Sequence, residues 1–392
     1  MSNTRRFLAL AASATFLFAA CSSGGATSAP SEAQSVEPSV AAPSAAESVA
    51  PSAAPAAAEV RLQLQWVPQA QFAGYLAAVE QGYYEANGIN LTIVPGGPDV
   101  IPQQAGSAAD GPEFTISWVP KVLEAREGNP ASDLVDIAQM FQRSGTLSVS
   151  WKASNITSPA DFKGKRIGVW DFGNEFEVTA GALKAGLKQG TDYEKVIQPF
   201  DMTLLLSKQI DVAEAMIYNE YAQMLEAKDP ESGSLVKPTD LNVINWNDEG
   251  TAMLQDAIFA RASWLSLPGS EDVAIRFLKA SFQGWIYCRN NPADCVQYVL
   301  KAGSTLGAGH QTWQMNEINA LVWPSPNGIG QMDPAKWQQT VDVSMGAGII
   351  KAAPPAEAYR TDLATKALEG ITDDTKGADF KKGVVEVTEG GN

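Results

Sequence analysis

Fifteen residues at or just past the ends of apolar, strand-like runs carry the chemistry this sequence offers: Trp66, Gln69, Gln71, Phe72, Ser117, Trp118 and Arg143 in one half, and Trp170, Phe172, Gly173, Asn174, Glu175, Tyr218, Asn219 and Glu220 in the other. Aromatic planes beside amides and carboxylates suit a flat, nitrogen-rich heterocycle. Its ring stacks on Trp and Tyr, and its amino or ring N–H groups donate to Glu and Asn. Glu175 and Glu220 stand against one candidate cation, Arg143, which disfavours oxyanions such as nitrate or sulfonate. Gly173 and Asn174 at a helix start leave backbone N–H groups for a phosphate or a ribityl hydroxyl. Each of these residues taken singly is more often structural, and it is their shared position that makes them a set.

The elements that must position them are strands feeding helices. Val60, Leu62, Leu64 and Trp66 alternate with Arg61, Gln63 and Gln65, the period of a half-buried strand. Phe72, Tyr75, Leu76 and Val79 follow at helical spacing, and a second strand closes the unit at residues 89–94. Further strands are expected at 113–117, 134–140, 147–151, 166–170, 195–200, 211–217 and 241–246. Ser158 caps a short helix that stops near Gly164, and the helix after Asp171 turns Phe176, Ala180, Leu183 and Leu187 inward. The class is α/β, with strand-end loops forming the mouth of a site. From Gly250 the pattern turns helical, with helices over Asp272–Cys288, Pro292–Lys301, Gln311–Leu321 and Pro334–Met345. Roughly 330 residues exceed what one core usually serves, so two lobes are expected.

The first sixty residues are of another kind. Arg5 and Arg6 precede an apolar run, Phe7 to Ala20, that is too short for the ~20 residues of a spanning helix, which marks 1–20 as a signal peptide. Ala19-Ala20-Cys21 resembles a lipobox, which implies acylation of Cys21. Residues 21–58, rich in Ser, Ala, Pro and Gly, read as a disordered, lipid-anchored tether. The chain is therefore expected to be exported and held at the outer face of the cytoplasmic membrane or in the periplasm. Removing Arg5 and Arg6 leaves 26 basic against 44 acidic side chains, a net charge of −18, which argues against nucleic acid as a partner. Cys288 and Cys295, seven apart across Asn-Asn-Pro, point to a local disulfide in an oxidising compartment, and with a single histidine, His310, a metal site is not expected.

The form W-x-P-x-x-x-F at 66–72, followed by a helix, QGYY at 81–84, Gly88 and a strand, resembles the bacterial solute-binding proteins related to thiamine pyrimidine synthase. So does DFKGKRIGV at 161–169. The resemblance extends over much of residues 60–350. It implies a type II periplasmic-binding-protein-like fold, each lobe a mainly parallel sheet flanked by helices, joined by a two-strand hinge at Leu147–Trp151 and Leu241–Trp246. Residues 59–147 with 247–370 would form lobe 1, 148–246 lobe 2, and 371–392 a C-terminal tail. It also implies a monomeric, cofactor-free binding protein that captures a small heterocycle by lobe closure and delivers it to an ABC permease. A thiamine pyrimidine precursor is the first expectation and riboflavin the second. Eukaryotic thiamine pyrimidine synthases of this fold are enzymes that use a pyridoxal-phosphate lysine, a histidine and a cysteine-rich iron motif. The corresponding segments read Thr115–Pro120 and Thr251–Gln255 here and lack those groups, so an enzyme is not expected. A sensor or adhesin that presents bound ligand to a partner is the third class.

Overall fold

The computed structural model describes residues 57–129 and 131–392. The signal peptide, Cys21 and nearly all of the tether lie outside the described residues.

Ten strands form two five-stranded sheets. The first has the order β2-β1-β3-β10-β4 and uses β1 (Ala58–Gln63), β2 (Ile89–Val94), β3 (Phe114–Ser117), β4 (Leu134–Gln139) and β10 (Ala257–Arg261). The second has the order β7-β6-β8-β5-β9 and uses β5 (Thr146–Trp151), β6 (Arg166–Val169), β7 (Glu194–Ile197), β8 (Val212–Met216) and β9 (Leu241–Asn245). β1 therefore begins at Ala58, inside the segment read as tether.

Both sheets are mixed, mainly parallel with one reversed strand in each. β1 runs parallel to β2 and β3, and β6 parallel to β7 and β8, as helical crossovers require. In each sheet one strand enters from the other sheet and so runs backwards: β10 lies antiparallel between β3 and β4, and β5 antiparallel between β8 and β9. β10 corrects the reading that the chain is helical from Gly250 on. Its five residues are all buried, and a short run without alternation gives no strand period to detect.

Helices cover the sheets through apolar contact. The helix Ala73–Glu80 crosses Ser270–Asn290 at a glycine contact, where a Cβ on Gly284 would lie 2.0 Å from the Gly74 carbonyl oxygen and one on Gly74 would enter the Trp285 ring. Backbones this close exclude any larger residue. Residues 73–78 of that helix are all buried while Val79 is 43% exposed, so no single apolar stripe exists and Val79 does not belong to the core. The helix Phe176–Lys184 buries Ala180 as expected, with Leu187 beyond it packed on the core, but it also buries Glu177, Val178, Gly181 and Ala182 and leaves Leu183 outside. At Ser158 the contact runs the other way from a side-chain cap: Ser158 N and Oγ both donate to Asp161 Oδ2 at the start of the turn Pro159–Phe162.

Cys288 and Cys295 are joined by a disulfide with a Cα–Cα distance of 5.5 Å, linking Ser270–Asn290 to Pro292–Lys301. Thiol titration of the unfolded, unreduced protein is expected to find neither cysteine free. Reduction should cost about 2–3 kcal/mol of stability, read by urea denaturation.

Residues after 370 lie along the folded body. Thr375 and Lys376 accept backbone hydrogen bonds from Ile329 and Ser325, Lys382 pairs with the buried Glu317, and Lys228 pairs with Glu389.

Candidate functional site

Three parallel strands of each sheet end at one cleft. The segments after β1 (Gln65, Trp66, Gln69, Gln71), β2 (Gly97 to Gln103) and β3 (Trp118, Lys121) face those after β6 (Trp170, Phe172, Asn174), β7 (Phe200) and β8 (Met216, Tyr218, Asn219, Glu220). Carboxyl ends of parallel strands are where such sheets leave room for ligand. The cleft contains about 720 Å³ of empty space, part of it open to solvent, around a cavity of about 90 Å³. That cavity is smaller than the ~150 Å³ that admits benzene, so a ring enters only if the walls part.

The walls already touch. Trp66 meets Phe200 with ring centroids 4.5 Å apart, and Phe200 stacks on Trp170 at 5.8 Å and 20°. Trp170, Met216 and Tyr218, carried by the second sheet, belong to one continuous apolar cluster with Leu62 and Ile116 of the first. Phe172 is the exception: it is 69% exposed at the rim and takes a left-handed φ of 66°, followed by Gly173 at 85°.

Beneath the aromatic walls lies a polar floor. Gln69 Nε2 donates to Gln71 Oε1 at 2.8 Å. Gln71 Nε2 donates to Asp256 Oδ2 at 2.9 Å, and Trp118 Nε1 donates to Asp256 Oδ1 at 2.9 Å. Burial pushes the Asp256 carboxyl up to about 6 against the opposing pull of these bonds. Lys121 reaches from the first-sheet side to Asn174 Oδ1 at 2.6 Å and lies 4.4 Å over the Trp118 ring. Burial lowers its ammonium to about 8, although Glu214, Asp256 and Glu175 favour its charge. On the opposite wall Glu220 accepts from Met216 N and Asn219 Nδ2, and burial raises it to about 7. Asn219 Oδ1 faces Nε2 of the buried His310 at 3.0 Å, whose Nδ1 lies 2.9 Å from Glu226.

Ten of the fifteen expected residues line this cleft: Trp66, Gln69, Gln71, Trp118, Trp170, Phe172, Asn174, Tyr218, Asn219 and Glu220. The other five do not. Phe72 is fully buried because Ala70–Phe72 makes a helical turn that directs it into the core. Ser117 is fully buried within β3. The Arg143 guanidinium donates to the carbonyls of Ala320, Trp323 and Pro324, binding the end of the helix Ala308–Val322. Gly173 forms the turn itself, and Glu175 folds back to accept from Gly173 N, with Lys195 3.6 Å away. Glu175 is thus not placed to receive a ligand donor, and both Glu220 oxygens already accept from the protein. Sequence reasoning missed Gln65, Gly97, Pro98, the residues 100–103, Lys121, Phe200 and Met216. The loops after β2 and β7 were not read as strand ends, though the same rule applies to them.

Beside the cleft, Glu177 ties both crossings between the sheets, accepting from Ser144 Oγ at 2.7 Å and Met253 N at 2.8 Å. Burial raises it from 4.5 to about 8, and raises Asp136 from 3.8 to about 8. The folded protein holds these protons where the unfolded chain has released them. Stability from both groups is therefore full below about pH 4 and lost as pH rises toward 8. Melting is expected to fall by about 2–5 °C between pH 5 and 8, and Glu177→Gln should flatten the dependence.

The model of the family described as NMT1/THI5 like matches residues 69–295. A riboflavin-binding protein, RibY, of Chloroflexus aurantiacus is 27% identical over 312 residues, spanning 75% of this chain and 82% of the relative. A putative thiamine biosynthesis protein of Haemophilus influenzae is 23% identical over 317 residues, 78% of this chain and 92% of the relative. The ligand-binding component of an ABC-type import system from Staphylococcus aureus superposes with a TM-score of 0.57 at 11% identity, covering 79% of this chain and 98% of that structure, a likeness of fold.

Proposed function

Because this chain belongs to the NMT1/THI5 like family, we propose that it is the solute-binding component of an ABC importer and captures a small, flat, nitrogen-bearing heterocycle by closure of two lobes. The observation that carries the reading is the cleft itself: aromatic walls from both sheets, with one cation among the described lining residues, Lys121, already bound to Asn174 and seated on Trp118. A small anion would find no free charge there, and would meet Asp256 and Glu220 nearby. An aromatic ring finds stacking surface in place of the Trp66–Phe200 contact.

The lobes part about the two crossings held by Glu177, ligand enters, and its contacts to both walls shift the equilibrium to the closed form that a permease recognises. A thiamine pyrimidine precursor is the first candidate, because a single ring needs the least parting of the Trp66–Phe200 contact. Riboflavin is the second, supported by the likeness to the riboflavin-binding relative and by the exposed Phe172 at the rim, which leaves surface for a longer ring. In this account Cys21 anchors the chain through residues 22–57, export places it outside the cytoplasmic membrane, and the chain acts as a monomer without cofactor. Amides and aromatic rings make up most of the lining, which supports binding over catalysis.

Native mass spectrometry of protein purified from its host tests the reading. A co-purifying aminopyrimidine or flavin is expected, and a co-purifying sulfonate would overturn it.

A further inference from the structure

The geometry points to Gln65 and Gln103 as the pair that reads the ligand's hydrogen-bonding edge, selecting heterocycles that carry an N–H donor beside an acceptor. The inference rests on the heterocycle reading above and adds to it the groups that choose among heterocycles.

Both residues line the cleft and are more than nine-tenths buried, Gln65 at 8% exposure and Gln103 at 6%. The Oε1 atom of each is buried with no hydrogen-bond partner, and neither side-chain amide makes a hydrogen bond within the described residues. The other cleft amides are all engaged: Gln69 with Gln71, Gln71 with Asp256, Asn174 with Lys121, Asn219 with Glu220. Buried polar groups are nearly always satisfied, and leaving one empty costs about 1–3 kcal/mol. Two empty amides in one cleft mark where a ligand completes the set.

The backbone brings their two segments together. Gly96 N donates to Trp66 O at 3.0 Å, and a Cβ at Gly96 would lie 2.7 Å from the Gln65 carbonyl carbon, so only glycine lets the loop after β2 press against Gln65. That loop leads into Pro102–Ser107, which carries Gln103 on its first turn. A primary amide presents a carbonyl acceptor beside an N–H donor and so pairs in two-point fashion with an N–C–NH2 edge, as glutamine does with adenine. An aminopyrimidine has that edge, and the lactam edge of a flavin ring is its equivalent. Sulfonates and nitrate have acceptors only.

Isothermal calorimetry of the full mature chain tests this with two matched pairs of probes: 4-amino-5-hydroxymethyl-2-methylpyrimidine against the same ring lacking the amino group, and riboflavin against N3-methylriboflavin. The parent that binds is expected to lose roughly 30-fold or more in affinity when its donor is removed. In Gln65→Met/Gln103→Met, whose melting temperature reports folding, that ratio should shrink to within about threefold. The pair that responds identifies the ring. A parent that binds while its donorless partner binds equally well to the wild-type chain, which needs no variant, overturns the inference alone, as does an unchanged ratio in the folded double variant. Absence of binding by both parents overturns the heterocycle reading and this inference with it.

Discussion

Asp256→Ala is expected to lower ligand affinity by about 100-fold and fold stability by about 2–4 kcal/mol, the largest effect of any single substitution in the cleft. Asp256 is 2% exposed and is the acceptor on which Gln71 Nε2 and Trp118 Nε1 both converge. Its loss leaves two buried donors without acceptors and frees the Gln69–Gln71 relay and the Trp118 ring that supports Lys121. Asp256→Asn keeps an acceptor for Trp118 but turns an NH2 group toward Gln71, so its cost should be intermediate. Urea denaturation and calorimetry read the two effects separately. Equal affinity in the alanine variant would mean that the floor does not position the walls.

Trp66→Ala is expected to weaken binding tenfold or more with little loss of stability. Trp66 is only partly buried and contributes one face of the cleft, where stacking adds about 0.5–1.5 kcal/mol beyond the buried area. Trp170→Ala should weaken binding similarly but also destabilise the fold, because Trp170 is 3% exposed and its Nε1 donates to Pro199 O. The contrast between the two variants separates ligand contact from core packing.

The α/β class, the βαβ opening and the strand-end position of the site were legible because period-two runs feeding period-3.6 runs are local signals. Trp66, Trp170 and Tyr218 follow from that rule alone, and all three line the cleft. What was not legible depends on long-range contact. β10 is buried on both faces and shows no alternation. Arg143 is spent on carbonyls 177 to 181 residues away. Glu175 and Glu220 looked available because sequence shows a carboxylate but not the backbone N–H groups of Gly173 and Met216 that engage it. Lys121 lies one helical turn past β3, and only the fold turns it toward Asn174.

Calorimetry of the mature chain against the aminopyrimidine, riboflavin, taurine and nitrate tests the central claim most directly. A cleft walled by Trp66, Trp170 and Phe200, with its lysine already engaged, should give one-to-one binding of a heterocycle and no heat from either anion. Saturable binding of taurine or nitrate, with no response to either heterocycle, would contradict it.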